Sequence, residues 1–297
     1  MAPPATGIAV IGLGIMGSAI ARNLIRAGFA VAGFDVDPAR MKELAGAGVT
    51  PCGSAAAAAR GRALVLTSLP SIAALEATVA SLVGEPQPGL VVAELSTLPI
   101  EAKEAARDRL QASGIRLLDC PLSGTGAQAE TGDLAVYASG DEDAYESCRD
   151  AFAGFARVSH YLGAFGNGSR MKFVANLLVT VHNAAAAEAI VLGVKAGLDA
   201  GRILEVIASG AGNSRIFELR GPMMAKGVYV PPTATMHVLQ KDSAIIAAFA
   251  RALGVDTPML AAAAPLYDEA EALGYGEEDV GAVHAVLARR AGLTPAR

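Results

Sequence analysis

The chain has 297 residues, of which 53% are hydrophobic and 18% are charged. This length predicts about two domains, and the composition excludes an intrinsically disordered chain. The formal net charge is −5 and no run of lysine or arginine occurs, so we expect no nucleic-acid-binding surface.

Cysteine and histidine spacing gives no sign of a disulfide or a metal site. Cys52, Cys120 and Cys148 are odd in number and far apart, and the four histidines lack ligand spacing. We therefore expect a cytoplasmic protein without a metal ion. The N-terminal segment has no basic region, and glycines interrupt the apolar run after it, so neither a signal peptide nor a membrane span is predicted.

The first half of the chain alternates predicted strands with predicted helices. Apolar, β-branched runs predict strands over residues 7–11, 29–35, 63–68, 90–95, 115–120 and 134–139. Helices are predicted over residues 16–27, from Asp37-Pro38 onward, and over 100–112. This alternation is typical of a doubly wound, mainly parallel α/β sheet with helices on both faces.

The second half of the chain predicts only helices. Residues 169–196 lack proline and predict one helix of about 40 Å. Further helices are predicted over residues 200–209, 243–253, 258–273 and 280–287. We expect an all-α domain built on the long helix. Because so small a domain cannot cover a long apolar helix alone, a dimer or larger assembly is expected.

A glycine cluster joins the first predicted strand to the first predicted helix. The run Gly12-Leu13-Gly14-Ile15-Met16-Gly17 matches G-x-G-x-x-G in the context that this motif requires. The first glycine permits a tight turn, the second lets the backbone approach a pyrophosphate, and the third lets helix and strand pack closely. The helix N-terminus adds N–H donors. The motif therefore predicts a dinucleotide site. The alternative is a plain glycine-rich turn, which would have the same sequence pattern.

Asp35, at the end of the second predicted strand, favours NAD over NADP. A carboxylate there accepts both ribose hydroxyls and repels a 2′-phosphate, and the nearest cation is Arg40. The alternative is that Asp35 only caps the next turn. Leu69-Pro70 and Ser96-Thr97 end two other strands, so we expect both pairs to reach the cofactor.

Two later segments predict a substrate site. Ser123-Gly124-Thr125 follows a strand and offers backbone N–H groups and hydroxyls to an anion, unless it is an ordinary surface turn. Lys172 and Asn176 are four residues apart, so they share one helix face. Apolar neighbours and the positive helix end would lower the pKa of Lys172, as suits an acid/base that exchanges a proton with a substrate oxygen. The alternative is an exposed lysine at a helix start.

These motifs, together with Lys241-Asp242, resemble the β-hydroxyacid dehydrogenase family in order and spacing over essentially the whole chain. That family includes 3-hydroxyisobutyrate, tartronate-semialdehyde and 6-phosphogluconate dehydrogenases. The resemblance implies a Rossmann NAD(P)-binding domain over residues 1–164, a helical substrate and dimerisation domain over 165–297, and a homodimer or homotetramer.

The resemblance also implies a role for each motif residue. It implies that Lys172 is the catalytic acid/base and Asn176 orients the substrate, that Ser123, Gly124 and Thr125 anchor it, and that Lys241 and Asp242 complete the site near the nicotinamide. The implied function is interconversion of a small β-hydroxy acid and its semialdehyde or keto acid.

Because the sequence departs from the family pattern at three positions, it does not identify the substrate. They are Glu94 where relatives usually have Asp, Thr125 where many have glycine, and Ser243 where an apolar residue is common. The alternatives are an imine or keto-acid reductase on the same fold, whose members generally lack this lysine, and a non-catalytic dinucleotide-binding scaffold. Whether His237 or Arg215 reaches the substrate is open.

Overall fold

The computed structural model describes residues 7–293. The chain divides into two compact units, with the division between Lys172 and Phe173.

The first unit is built on a six-stranded parallel sheet. Its strands are β1 (Ile8–Ile11), β2 (Val31–Phe34), β3 (Thr50–Pro51), β4 (Leu64–Thr67), β5 (Val91–Glu94) and β6 (Arg116–Asp119), in the order β3-β2-β1-β4-β5-β6. This order is that of a doubly wound dinucleotide-binding sheet, so the predicted fold class is confirmed.

Helices cover both faces of this sheet. They are α1 (Ile15–Arg26), α2 (Pro38–Gly46), α3 (Ala55–Ala59), α4 (Ile72–Gly84) and α5 (Ile100–Gln111). The central strands β1, β4 and β5 are buried along their whole length, which explains why their sequences are continuous apolar runs. Asp37 caps α2 by accepting a hydrogen bond from the N–H of Ala39, as Asp37-Pro38 predicts.

A second, smaller sheet corrects one sequence prediction. β7 (Leu122–Ser123) pairs antiparallel with β8 (Ala135–Ala138), and β8 pairs parallel with β9 (Val158–Tyr161). Helices α6 (Gly126–Glu130) and α7 (Glu142–Ala153) connect these strands. The strand predicted over residues 134–139 therefore exists, but outside the main sheet. β9 is not predicted because its sequence, VSHY, is polar and half-exposed.

The predicted long helix is confirmed as α8 (Asn167–Lys195). Its first six residues belong to the first unit, and the rest of it belongs to the second unit, which is helical. The other helices are α9 (Ala200–Ala208), α10 (Arg215–Lys226), α11 (Met236–Ala252), α12 (Pro258–Ala270) and α13 (Val283–Arg290), with a π turn over Glu271–Tyr275 and a 3-10 turn over Val280–Ala282.

Two helices of this unit differ from the sequence prediction. α10 is not predicted because Pro222 lies inside it. The predicted start of α11 at residue 243 is wrong, since the helix begins at Met236. Its buried face has helical spacing, but polar residues interrupt the apolar pattern there, namely Asp242 and Ser243. This earlier start places Lys241 and Asp242 within the helix.

α8 has the length and composition of a membrane span. Its most apolar window has a mean hydropathy of 1.7, and 39% of that window is buried inside the protein. The core helix of a soluble protein meets the same criteria. The expected absence of a membrane span therefore stays a prediction.

Candidate functional site

The glycine turn lies where the strand order of the sheet reverses, between β1 and β4. Gly12 has a φ of +85°, and a Cβ atom there would lie 2.1 Å from the carbonyl oxygen of Ser68. A Cβ atom at Gly17 would lie 1.9 Å from the carbonyl oxygen of Gly12. Gly14 is the N-cap of α1 and contributes no side-chain bond. Gly12 and Gly17 therefore let the turn pack backbone against backbone at a helix N-terminus, a geometry that fits the pyrophosphate of a dinucleotide.

Asp35 connects the glycine turn to the end of β2. Its carboxylate accepts hydrogen bonds from the N–H of Leu13 at 2.6 Å and from the N–H of Asp37 at 2.8 Å. Arg40 lies 3.5 Å from Asp35 and 3.5 Å from Asp37. The acid thus has partners within the chain, and a cation lies next to it. The preference for NAD stays a prediction.

The structure brings Leu69 and Ser96 together. The N–H of Leu69 donates to Oγ of Ser96 at 2.7 Å, although the two residues follow different strands. Pro70 and Thr97 come next along the two loops and are exposed and half-buried, respectively. Two of the predicted cofactor segments therefore form one edge beyond β4 and β5.

Beneath this edge lies a buried ionic cluster that sequence reasoning missed. Nζ of Lys103 lies 2.7 Å from Oε2 of Glu94 and 2.8 Å from Oδ1 of Asp119, and it donates to the carbonyl oxygen of Ser96 at 2.7 Å. The three charged side chains are fully buried. Burial alone would lower the pKa of Lys103, but the carboxylates of Asp119 and Glu94 outweigh it and raise that pKa.

A sequence signal for this cluster does exist. The buried positions of α5 are Ile100, Lys103, Ala106 and Leu110, so the lysine occupies the inward-facing stripe of the helix. A lysine on that stripe requires buried acceptors.

The same cluster fixes the start of α8. Oδ2 of Asp119 accepts the N–H of Ser169 at 2.7 Å, and Oδ1 accepts its hydroxyl at 2.7 Å. A Cβ atom at Gly168 would lie 2.2 Å from the carbonyl oxygen of Tyr137, so the helix backbone packs directly against strand β8. Lys172 follows, half-buried, three residues after Ser169. It is the sixth residue of α8, in the second turn rather than the first, because the helix begins two residues earlier than predicted.

Three other predicted site residues lie together in the second unit. Nδ2 of Asn176 on α8 donates to Oδ2 of Asp242 on α11 at 2.7 Å, and both residues are buried. Nζ of Lys241 lies 3.2 Å from Oδ1 of Asp242. Asp242 therefore holds both the amide of Asn176 and the ammonium of Lys241.

The loop predicted to anchor the substrate has a structural task as well. Ser123 ends β7, Gly124 is exposed, and Thr125 is the N-cap of α6. The N–H of Thr125 donates to Oε1 of Gln128 at 3.0 Å, within a complete capping box. The polar groups of Thr125 thus already have partners inside the loop, and its contact with a substrate stays a prediction.

Other candidates have partners of their own. The ring nitrogens of His237 lie 3.1 Å from Glu271 and 3.1 Å from Glu277, and Arg215 lies 3.1 Å from Glu218. The three cysteines are free. Within residues 7–293, His, Cys, Asp and Glu form no group of three or more that could hold a metal ion.

Comparison with known proteins matches nearly the whole chain. The NAD-binding domain of 6-phosphogluconate dehydrogenase matches residues 7–163, and the NAD-binding domain of NADP-dependent 3-hydroxyisobutyrate dehydrogenase matches residues 166–287. An L-threonate dehydrogenase of Cupriavidus necator is 38% identical over 93% of this chain and 94% of its own length. The NAD-dependent L-serine dehydrogenase of Pseudomonas aeruginosa is 32% identical over 93% of this chain and 96% of its own.

A solved structure of similar sequence has the same fold. The crystal structure of 3-hydroxyisobutyrate dehydrogenase from Salmonella typhimurium is 30% identical, with a TM-score of 0.86. The match covers 94% of this chain and 99% of that one.

Proposed function

Because the chain belongs to the β-hydroxyacid dehydrogenase family, we propose that it interconverts a small β-hydroxy acid and its semialdehyde or keto acid, as a 3-hydroxyisobutyrate dehydrogenase does. NAD is the preferred cofactor in this proposal, and Lys172 is the acid/base. Family membership supports the wider class, an NAD(P)-dependent oxidoreductase acting on CH–OH groups.

The placement of Lys172 is the observation that carries the proposal. The lysine is half-buried, next to the buried Phe173 and one turn after a helix start that Asp119 holds through Ser169. A lysine amine in this position takes the proton of a substrate hydroxyl during oxidation, and the ammonium returns it during reduction. NAD, when bound, supplies the hydride acceptor.

Two further groups suit binding of the substrate. The hydrogen bond from Asn176 to the buried Asp242 fixes the amide of Asn176, as an orienting residue requires. Ser123 and the exposed Gly124 offer a hydroxyl and a backbone N–H to the substrate carboxylate.

The names of the relatives support a short, polar substrate. L-Threonate and L-serine each carry a carboxylate, a polar group on C2 and a hydroxyl on C3. We therefore expect the substrate to be a 3-hydroxy acid of three or four carbons along its main chain.

An activity screen tests the proposal. The purified protein is assayed with L-threonate, L-serine and 3-hydroxyisobutyrate, each with NAD and with NADP, and with the matching carbonyl compounds and NADH. Turnover of at least one hydroxy acid is expected, with the higher kcat/KM for NAD. NADH binding without turnover of any compound would favour the non-catalytic scaffold instead.

A homodimer or homotetramer remains part of the proposal. Val174 and Leu178 are four residues apart on α8, and 58% and 48% of their surfaces are exposed. An exposed apolar pair on one helix face supports association with a second copy. Light scattering coupled to size-exclusion chromatography measures the mass directly.

A further inference from the structure

We propose that Lys103 is a positioning residue that sets both the cofactor edge formed by Leu69 and Ser96 and the start of the helix that carries Lys172. The inference rests on the proposed function, because it concerns the same site. Lys103 itself lies beneath the loops and touches neither substrate nor cofactor in this proposal.

The ammonium of Lys103 has three oxygen atoms within 2.8 Å. It donates hydrogen bonds to Oδ1 of Asp119 and to the carbonyl oxygen of Ser96, and it forms an ion pair with Oε2 of Glu94. These oxygens come from two neighbouring strand ends and one loop. A neutral side chain at this position would release all three together.

One series of hydrogen bonds connects Lys103 to the cofactor edge formed by Leu69 and Ser96. Lys103 holds the carbonyl oxygen of Ser96, and Oε1 of Glu94 accepts the N–H of Ser96 at 3.0 Å. The hydroxyl of Ser96 is thereby placed to accept the N–H of Leu69 at 2.7 Å. The backbone of both loops beyond β4 and β5 thus depends on Lys103.

A second series of hydrogen bonds connects Lys103 to the start of α8, the helix that carries Lys172. Asp119 binds Lys103 through Oδ1, and its two oxygens accept the hydroxyl and the N–H of Ser169. Ser169 lies three residues before Lys172, so the two share one side of α8. A shift of the Asp119 carboxylate would therefore move the first turn of α8, which continues directly into the turn that carries Lys172.

The ionisable groups of the cluster indicate a role beyond packing of the core. Two acidic side chains and one lysine share a fully buried position, a concentration of ionisable groups that an apolar core would avoid. The N–H groups of Ser96 and Ser169, the latter in the first turn of α8, donate to these acids. Apart from the hydroxyl of Ser139, which lies 3.3 Å from Asp119, these donors belong to the two functional segments.

The first test compares Lys103→Met with Leu110→Ala. Leu110 lies on the same inward stripe of α5, is buried and has no polar group, so its truncation loosens the helix without touching the cluster. Each variant is characterised by its Tm, by fluorescence titration with NADH, and by kcat and KM well below the Tm. We expect Lys103→Met to weaken NADH binding and to lower kcat by about tenfold or more each, and Leu110→Ala to change both by less than about twofold. Equal effects of the two variants at equal loss of Tm would overturn the proposal.

The second test distinguishes the two series of hydrogen bonds, the one to the cofactor edge and the one to α8. It does not depend on the folding of Lys103→Met. Ser96→Ala removes only the acceptor of the Leu69 N–H, and Ser169→Ala removes only a hydroxyl bond to Asp119. Ser96→Ala is expected to weaken NADH binding mainly, and Ser169→Ala to lower kcat mainly. Wild-type values of both quantities in both variants would overturn the proposal.

Amide hydrogen exchange separates this inference from the proposed function. Without any substrate, Lys103→Met should speed exchange over residues 95–98 and 167–172, whereas Leu110→Ala should leave these segments near wild-type rates. If the wild-type protein turns over none of the hydroxy acids, the proposed function fails, while NADH binding and exchange still decide the role of Lys103. Unchanged exchange and NADH binding in a folded Lys103→Met would refute the positioning role alone.

Discussion

Asp119 holds Ser169 by two hydrogen bonds of 2.7 Å, one from the backbone N–H and one from the hydroxyl. The acid is the last residue of strand β6, and the serine lies in the first turn of α8, fifty positions later. Because both partners are buried, the bonds are protected from competing water. The first turn of α8, just before Lys172, is therefore fixed to the carboxyl end of strand β6.

The close packing of this helix start makes Gly168 intolerant of substitution. A Cβ atom there would lie 2.2 Å from the carbonyl oxygen of Tyr137 and 2.7 Å from that of Asp119. Gly168→Ala is expected to lower the free energy of unfolding by about 1–3 kcal/mol and to reduce kcat. Gly46→Ala is the control, since a Cβ atom at that helical glycine meets nothing within 4 Å. Urea denaturation should show it unchanged or stabilised by up to about 1 kcal/mol, and equal losses in both variants would contradict the clash.

The cofactor preference is expected to depend on Asp35. Asp35→Ser removes the negative charge that disfavours a 2′-phosphate and leaves Arg40 with one carboxylate neighbour, Asp37, instead of two. The ratio of kcat/KM for NADP to that for NAD should rise by about tenfold or more. Adding Arg40→Ala should remove most of this gain, because the cation is then missing. If Asp35→Ser leaves this ratio unchanged, residues other than Asp35 determine the cofactor preference.

Local patterns were sufficient to predict the parallel sheet, the glycine turn and α8. Each depends on residues close in sequence, such as the spacing of Gly12, Gly14 and Gly17. The Lys103 cluster could not be predicted in the same way, because Glu94 and Asp119 become neighbours only through the pairing of β5 with β6, and Lys103 reaches both from helix α5. Thr125 shows a different limit: a hydroxyl in a glycine-rich loop suits both an anion site and a helix cap, and the structure gives it the cap.

Burial of His284 is expected to make stability fall below neutral pH. Its Nδ1 lies 2.9 Å from the hydroxyl of Tyr229, and burial lowers its pKa below the ordinary value of 6.5. Below pH 6.5 the unfolded chain therefore takes up a proton that the folded chain does not, and the free energy of unfolding falls by up to about 1.4 kcal/mol per pH unit. Denaturation of wild type and His284→Gln at pH 7.5, 6.5 and 5.5 measures the difference. The other histidines are common to both proteins, so parallel pH profiles would contradict the prediction.

The proton-transfer role of Lys172 is expected to separate turnover from cofactor binding. Lys172→Ala removes the proposed acid/base and leaves the glycine turn, Asp35 and the edge formed by Leu69 and Ser96 in place. The kcat should fall by about two to four orders of magnitude, while the Kd for NADH changes by less than about threefold. Lys195→Ala is the matched control, because Lys195 lies on the same helix, is exposed and donates to the carbonyl oxygen of Ala291, away from Lys172 in sequence. Turnover near the wild-type rate in Lys172→Ala would remove the lysine from the mechanism, whereas a parallel loss of NADH binding would make it a binding residue.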